Sequence, residues 1–201
     1  MAIDRDKIIK EMSQMKVQGD ETGIIDGFGV YITQISTDFW QGFADKLLAN
    51  VDPDLKEATE YLLVNAAKVC GYVTGYGIIT CDEWKTVIGP MVENVEDVLH
   101  GAFAIFTAWG WANAEIIELI PGEKMVLRAY NYYEADVAKY GTTEPKAYMV
   151  QGIAAAFFAL AYAGEYDADS DKYDAFKCEQ TKGIECGDEY GEFVVTPNTD
   201  R

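Results

Sequence analysis

Apolar residues at Ile8, Ile9, Met12 and Met15 recur at helical spacing and predict a short helix over Asp4–Met15. Gly27-Phe28-Gly29 breaks that run, and Val30–Ile35 alternates as a strand does. Thr37 is placed to cap a helix over Asp38–Leu48. Asp52-Pro53 reads as a cap followed by proline at the first helical position. The helix it opens sets Leu55, Leu62, Ala66, Val69 and Val73 on one face and is expected to fail near Gly75 or Gly77. Thr80-Cys81-Asp82-Glu83 has the form of a capping box, and the next helix is interrupted at Gly89-Pro90 before resuming to about Leu99.

Beyond that point the period changes. Ala102–Ala108 and Ala114–Leu119 read as strands, and Pro121-Gly122 turns the chain into a third at Met125–Tyr130. The hairpin around Ile120–Glu123 is the clearest β signal. Tyr132–Tyr140 is weakly helical, and Lys146–Ala163 is apolar nearly all round, which predicts a buried helix. An acidic loop, Asp167–Asp174, precedes final strands at Tyr173–Lys177 and Glu192–Val195. Segregated helices and strands in this order predict an α+β fold, an antiparallel β-meander packed against helices. No repeat or linker divides the 201 residues, so the expectation is a single domain, with a helical N-terminal part over about 1–60.

Nearly half of the residues (49%) are hydrophobic, enough for a substantial core, while a formal net charge of -18 makes the surface strongly acidic. Such a surface repels phosphate backbones and anionic lipid, which argues against nucleic-acid and membrane partners. The start of the chain does not have the pattern of a signal peptide. The longest apolar stretch, Gly152–Gly164, is shorter than the ~20 residues a membrane span needs. The chain is therefore read as cytoplasmic, with Cys70, Cys81, Cys178 and Cys186 as thiols or metal ligands.

The candidate chemistry is sparse. Cys178 and Cys186 have seven residues between them, Glu179 and Glu185 included, the beginnings of a metal site or two ordinary thiols at a strand edge; the absence of a CxxC pair favours the thiols. Asp167, Asp169 and Asp171 imitate half of an EF-hand loop, but Lys172 stands where glycine is needed. His100 is the only histidine, and no nucleophile motif accompanies it. Cys81, in the first turn of a helix, is expected to have a lowered pKa. Aromatic density is the remaining signal: Trp109, Trp111, Tyr130, Tyr132 and Tyr133 cluster around the hairpin, with Phe157 on the buried helix. They form either a ligand pocket or plain core.

From about Leu62 to Val195 the chain resembles the 4-vinyl reductase, or hydrocarbon-binding, domain family. Three stretches carry the resemblance: Gly110-Trp111 with the hairpin AEIIELIPGEKMVLRAYN, Gly152–Phe157, and Gly187–Val195. The resemblance implies a fold similar to certain vesicle-tethering subunits, frequent homodimers, and members that hold a small aromatic beside a zinc site as sensory domains of transcription activators. It also implies a zinc pattern of the form Glu-x-x-Cys-x7-Cys-x-Phe, with a further cysteine ahead of the buried helix. Counted back from Phe193, those positions are occupied by Gln180, Gly183 and Gly191, and the segment around Ala147-Tyr148 has no cysteine. Cys178 and Cys186 keep the spacing but are displaced by five residues, and Ala175 replaces the glutamate. This points to loss of the zinc site rather than a shifted loop.

The expected function is non-catalytic binding or sensing of a small hydrophobic or aromatic molecule by a homodimer. Trp109, Trp111, Tyr132 and Phe157 would wall the pocket, and His100 would serve as a polar anchor. The alternatives are an enzyme or accessory protein of tetrapyrrole or aromatic metabolism, with Cys81 or Cys178 as nucleophile in a thiol version, and a structural dimeric interaction subunit.

Overall fold

Asp4 opens the first helix: its carboxylate accepts the Lys7 N–H at 3.0 Å, and α1 (Arg5–Met12) buries Ile8 and Met12. The computed structural model describes residues 3–15, 18–28, 30–135 and 144–199. A short antiparallel hairpin follows, β1 (Ile25–Gly27) with β2 (Val30–Ile32). Thr37 is the first residue of α2 (Thr37–Asn50) rather than its cap; Ser36 takes the extended capping position. This helix buries none of its residues. The Asp52-Pro53 signal is realised, since Asp52 accepts the Asp54 N–H at 3.2 Å in a single 3-10 turn leading into α3 (Lys56–Thr80).

α3 does not fail at Gly75 or Gly77. Gly71 and Gly75 face α6 (Tyr148–Tyr162), and Gly152 of α6 faces back. A Cβ at Gly152 would lie 2.4 Å from the Ala67 Cβ and 2.5 Å from the Val64 carbonyl oxygen, so the two backbones meet almost directly. Tertiary packing thus outweighs glycine's low helix propensity. Over Pro53–Thr80 the segment is long and apolar enough to cross a bilayer, by length and composition only, a property that core helices share.

Cys81 caps α4 (Asp82–Val87) in place of Thr80: its sulfur accepts the Trp84 N–H at 3.4 Å, while the Thr80 hydroxyl donates back to the Tyr76 carbonyl at 2.8 Å. Asn94 caps α5 (Val95–Ala108) by accepting the Asp97 N–H at 2.9 Å. The strand expected over Ala102–Ala108 is therefore the second half of a helix. α5 is buried on both sides, with Ala102, Phe103 and Phe106 in the main core and Ala104 and Ile105 in a second cluster with α1, Phe28 and Trp84. A helix buried all round shows no 3.6-residue period and reads as a continuous apolar run.

The strands β3 (Ala112–Ile120), β4 (Lys124–Tyr132), β5 (Phe176–Lys182) and β6 (Gly191–Pro197) form one antiparallel sheet in the order β3-β4-β6-β5. Gly122, at φ +69°, makes the β3–β4 turn that the sequence marks. Tyr173 sits in a 3-10 turn, Lys172–Asp174, so the fifth strand starts later than expected. The inner face of the sheet, with Ala114, Met125, Leu127, Phe193 and Val195, packs against α5 and α6. The result is the expected α+β architecture, an antiparallel sheet covered by helices. Of the helix expected over Tyr132–Tyr140, Tyr133–Ala135 is a 3-10 turn, and residues 136–143 lie outside the described residues.

Candidate ligand cavity and a buried polar cluster

β4 ends at Tyr132, and the turn after it carries Tyr133 and Glu134 past the end of the sheet. α6 has no side-chain cap of its own, since Ala147 occupies that position. Glu134 supplies one from a distance: its two carboxyl oxygens accept the N–H groups of Met149 at 3.0 Å and Val150 at 3.1 Å. The helix terminus favours a negative charge there. Burial opposes it more strongly and pushes the Glu134 carboxyl up to about 8.

A cavity of about 110 Å³ lies between α2, α3, this turn and the first turn of α6. Trp40 and Phe43 of α2, Leu63 of α3, and Tyr148 and Met149 of α6 give it an apolar lining, and Glu134 lies at its wall. The Gln41 side chain donates to the Tyr133 carbonyl at 2.6 Å, tying α2 to the turn. The Tyr133 hydroxyl is buried and has no hydrogen-bond partner among the described residues, and burial raises its pKa. A buried hydroxyl without a partner is a donor that an added acceptor would satisfy.

A second polar cluster lies close by. Glu185 is 2% exposed. Its carboxylate accepts the Tyr132 hydroxyl, the Gln180 side-chain N–H at 2.6 Å and the Lys146 backbone N–H at 3.2 Å. The Tyr132 oxygen also accepts the Ile184 N–H at 3.1 Å, and the Gln180 carbonyl oxygen accepts the Ala147 N–H at 3.1 Å.

Of the residues named from sequence as pocket walls, the structure groups Trp111 and Phe157 around Phe106, with ring centroids 5.8 and 6.4 Å from it. Tyr132 belongs to the Glu185 cluster and meets Phe193 edge-on at 5.8 Å. Trp109 is elsewhere, against Phe28 at 4.4 Å in the smaller core. His100 is half-buried on α5, where burial lowers its pKa. None of the five lines the larger cavity; Phe157 borders a crevice of about 30 Å³ with Gly75 and Leu99, and Trp111 stands edge-on to Tyr133 at 5.9 Å.

Cys178 is half-buried on β5 and Cys186 is exposed in the turn before β6. No group of three or more His, Cys, Asp or Glu side chains among the described residues is arranged to hold a metal ion. Cys81, expected to be acidified by its helix, is instead shifted up by burial, as are Cys178 and Cys186. The positions at which the family resemblance puts zinc ligands do converge. Gln180 bonds Ala147, and Cβ atoms at Gly183 and Gly191 would lie 2.8 Å from the Gln180 amide and 2.7 Å from the Tyr132 ring. These positions provide no thiolate, imidazole or carboxylate, so the residues present do not fit zinc.

Sequence reasoning missed Tyr133, Glu134, Gln180 and Glu185 as a polar constellation. One local signal existed: α6 begins without a capping side chain, which leaves its first N–H groups to be satisfied by a distant residue.

No protein-family model matches the chain, and no curated protein sequence does. Among solved structures, the phenol-responsive sensory domain of the transcription activator PoxR, determined with phenol, matches with a TM-score of 0.72 at 13% identity, covering 98% of this chain and 92% of that one. The likeness therefore takes in the N-terminal elements as well as the region from Leu62 onward. A trafficking protein particle complex subunit 3 from Naegleria fowleri, covalently bound to palmitic acid, matches with a TM-score of 0.47 at 14% identity, covering 81% of this chain and 95% of that one. The chain has the fold of the first of these, a sensory domain.

Proposed function

We propose that this chain is a sensory-type binding domain of the 4-vinyl reductase class, which takes one small, mostly apolar molecule into the cavity beneath α2. The observation that carries this is the cavity of about 110 Å³, lined in part by Tyr133, whose buried hydroxyl has no hydrogen-bond partner among the described residues. A dry cavity of about 150 Å³ accepts benzene, so this hollow suits a single ring or a compact branched chain. The Tyr133 hydroxyl selects a molecule with one hydrogen-bond acceptor, such as a phenol or a small ketone. Calorimetry and thermal shift with phenol, cresols and toluene test it. The expected result is binding of the oxygen-bearing rings, weakened by Tyr133→Phe and abolished by Leu63→Trp, which fills the space. Absence of binding by every compound, or binding indifferent to Leu63→Trp, would overturn it.

A homodimer is part of the reading. α2 buries nothing yet carries Phe39, Trp40, Phe43 and Leu47 on its surface, and α3 exposes Leu62, Val69 and Val73 beside it. An apolar face of this kind marks an interface. Light scattering across a dilution series tests it, and a monomer at all concentrations would remove it. The upward shifts of Cys81, Cys178 and Cys186 disfavour thiolate formation, which weighs against a thiol nucleophile.

A further inference from the structure

We infer that the corner formed by Tyr132, Gln180, Glu185 and residues 146–147 is a metal-independent clasp, a hydrogen-bonded replacement for a metal centre at the same place in the fold. The positions at which the family resemblance puts metal ligands are brought together at this corner. What has changed is the content of the space. A Cβ at Gly183 would lie 2.8 Å from both the Gln180 amide nitrogen and the Glu185 carboxyl carbon. A Cβ at Gly191 would lie 2.7 Å from the Tyr132 ring and 2.9 Å from the Phe193 ring. The volume into which two thiolates would project is thus filled by Tyr132, Gln180 and Glu185.

The replacement performs the same mechanical task. Glu185 receives donors from three segments: the Tyr132 hydroxyl at the end of β4, the Gln180 amide on β5, and the Lys146 N–H before α6. The Gln180 carbonyl holds Ala147, and the Tyr132 oxygen holds the turn through Ile184. Asp188 closes that turn by accepting the Gly183 N–H at 2.9 Å. Three stretches of chain are pinned to one buried carboxylate as they would be to one cation. Every side-chain polar atom of Tyr132, Gln180 and Glu185 has a hydrogen-bond partner within this corner.

The test uses full-length protein from zinc-supplemented cells, purified without chelator, and does not depend on the ligand cavity. Elemental analysis is expected to find substoichiometric zinc, and a strong chelator is expected to leave Tm unchanged. Tyr132→Phe, which removes a single hydroxyl, is expected to lower Tm by about 3–10 °C, with no recovery on adding zinc. Glu185→Gln should lower it as well; Tyr132→Phe carries the test if that variant does not fold. One zinc per chain whose removal lowers Tm would overturn the inference, as would an unchanged Tm in Tyr132→Phe.

Discussion

Glu134 is a carboxyl whose burial opposes its ionisation while its hydrogen bonds favour it, and Glu134→Gln separates the two. The ordinary value of 4.5 is raised to about 8 in the folded chain, chiefly by desolvation. Below about pH 4.5 both states are protonated and the group contributes nothing to pH dependence. As pH rises toward 8 the unfolded chain gives up its proton while the folded chain keeps it, so stability falls across that window and levels off above it. At about 1.4 kcal/mol per unit the ceiling is about 5 kcal/mol; water reaching the adjacent cavity reduces it, and about 2–4 kcal/mol is expected. Glutamine does not titrate. It keeps one acceptor for the Met149 or Val150 N–H and loses the other, a pH-independent cost of about 1–2 kcal/mol. Glu134→Gln should therefore be less stable than wild type near pH 5 and more stable above pH 8. Urea unfolding at a series of pH values and one protein concentration measures this. Parallel pH profiles for the two proteins would refute the reasoning.

Gly152→Ala should cost at least about 3 kcal/mol or prevent folding, because the new methyl meets the Val64 carbonyl and Lys68 backbone nitrogen at 2.5 and 2.8 Å and neither can move alone; a variant with near-wild-type urea unfolding would contradict the helix contact. Lys68 is 2% exposed and its ammonium lies 2.6 Å from Asp174, so Lys68→Ala should cost about 3 kcal/mol. Lys68→Met, which keeps the apolar stem, should cost clearly less, and equal losses in thermal melts would show that packing around the stem is not what the site needs. Phe193→Ala, from a fully buried position at the centre of the sheet, should lower stability by about 3–5 kcal/mol in the same assay, and a loss under 1 kcal/mol would be inconsistent with its place in the core.

Local chemistry was legible in the sequence wherever one turn of chain decided the outcome. Asp52-Pro53 opened a helix and Pro121-Gly122 closed a hairpin because caps and tight turns depend on adjacent residues. Elements decided by distant partners were not. Gly75 and Gly77 looked like helix breakers, but the helix holding Gly152, some eighty residues on, packs against α3 at Gly71 and Gly75 and the helix runs on to Thr80. Phe103 and Phe106 lost their helical period because α5 is covered on two sides. Cys81 obeyed the rule for a helix cap but not the rule for an acidified thiol, since burial outweighed the helix terminus. The polar cluster joins Tyr132 to Glu185 across 53 positions, a separation no spacing rule covers. The positions to which the family resemblance points, Gln180, Gly183 and Gly191, meet at this corner, but two of the residues that fill it, Tyr132 and Glu185, lie outside those positions.

The glycine contact between α3 and α6 has a consequence for motion. Backbones in direct contact leave no side-chain layer to shear, so these two helices move as one body, whereas α2 rests against them without a single buried side chain. The cavity between them has one immobile wall and one loosely held wall. Amide hydrogen exchange should accordingly be fast along Thr37–Asn50 and slow along Ala67–Gly75 and Gly152–Ala159. An occupant of the cavity would fasten the loose wall, and its presence would be reported to the outside as the stiffening of one surface helix.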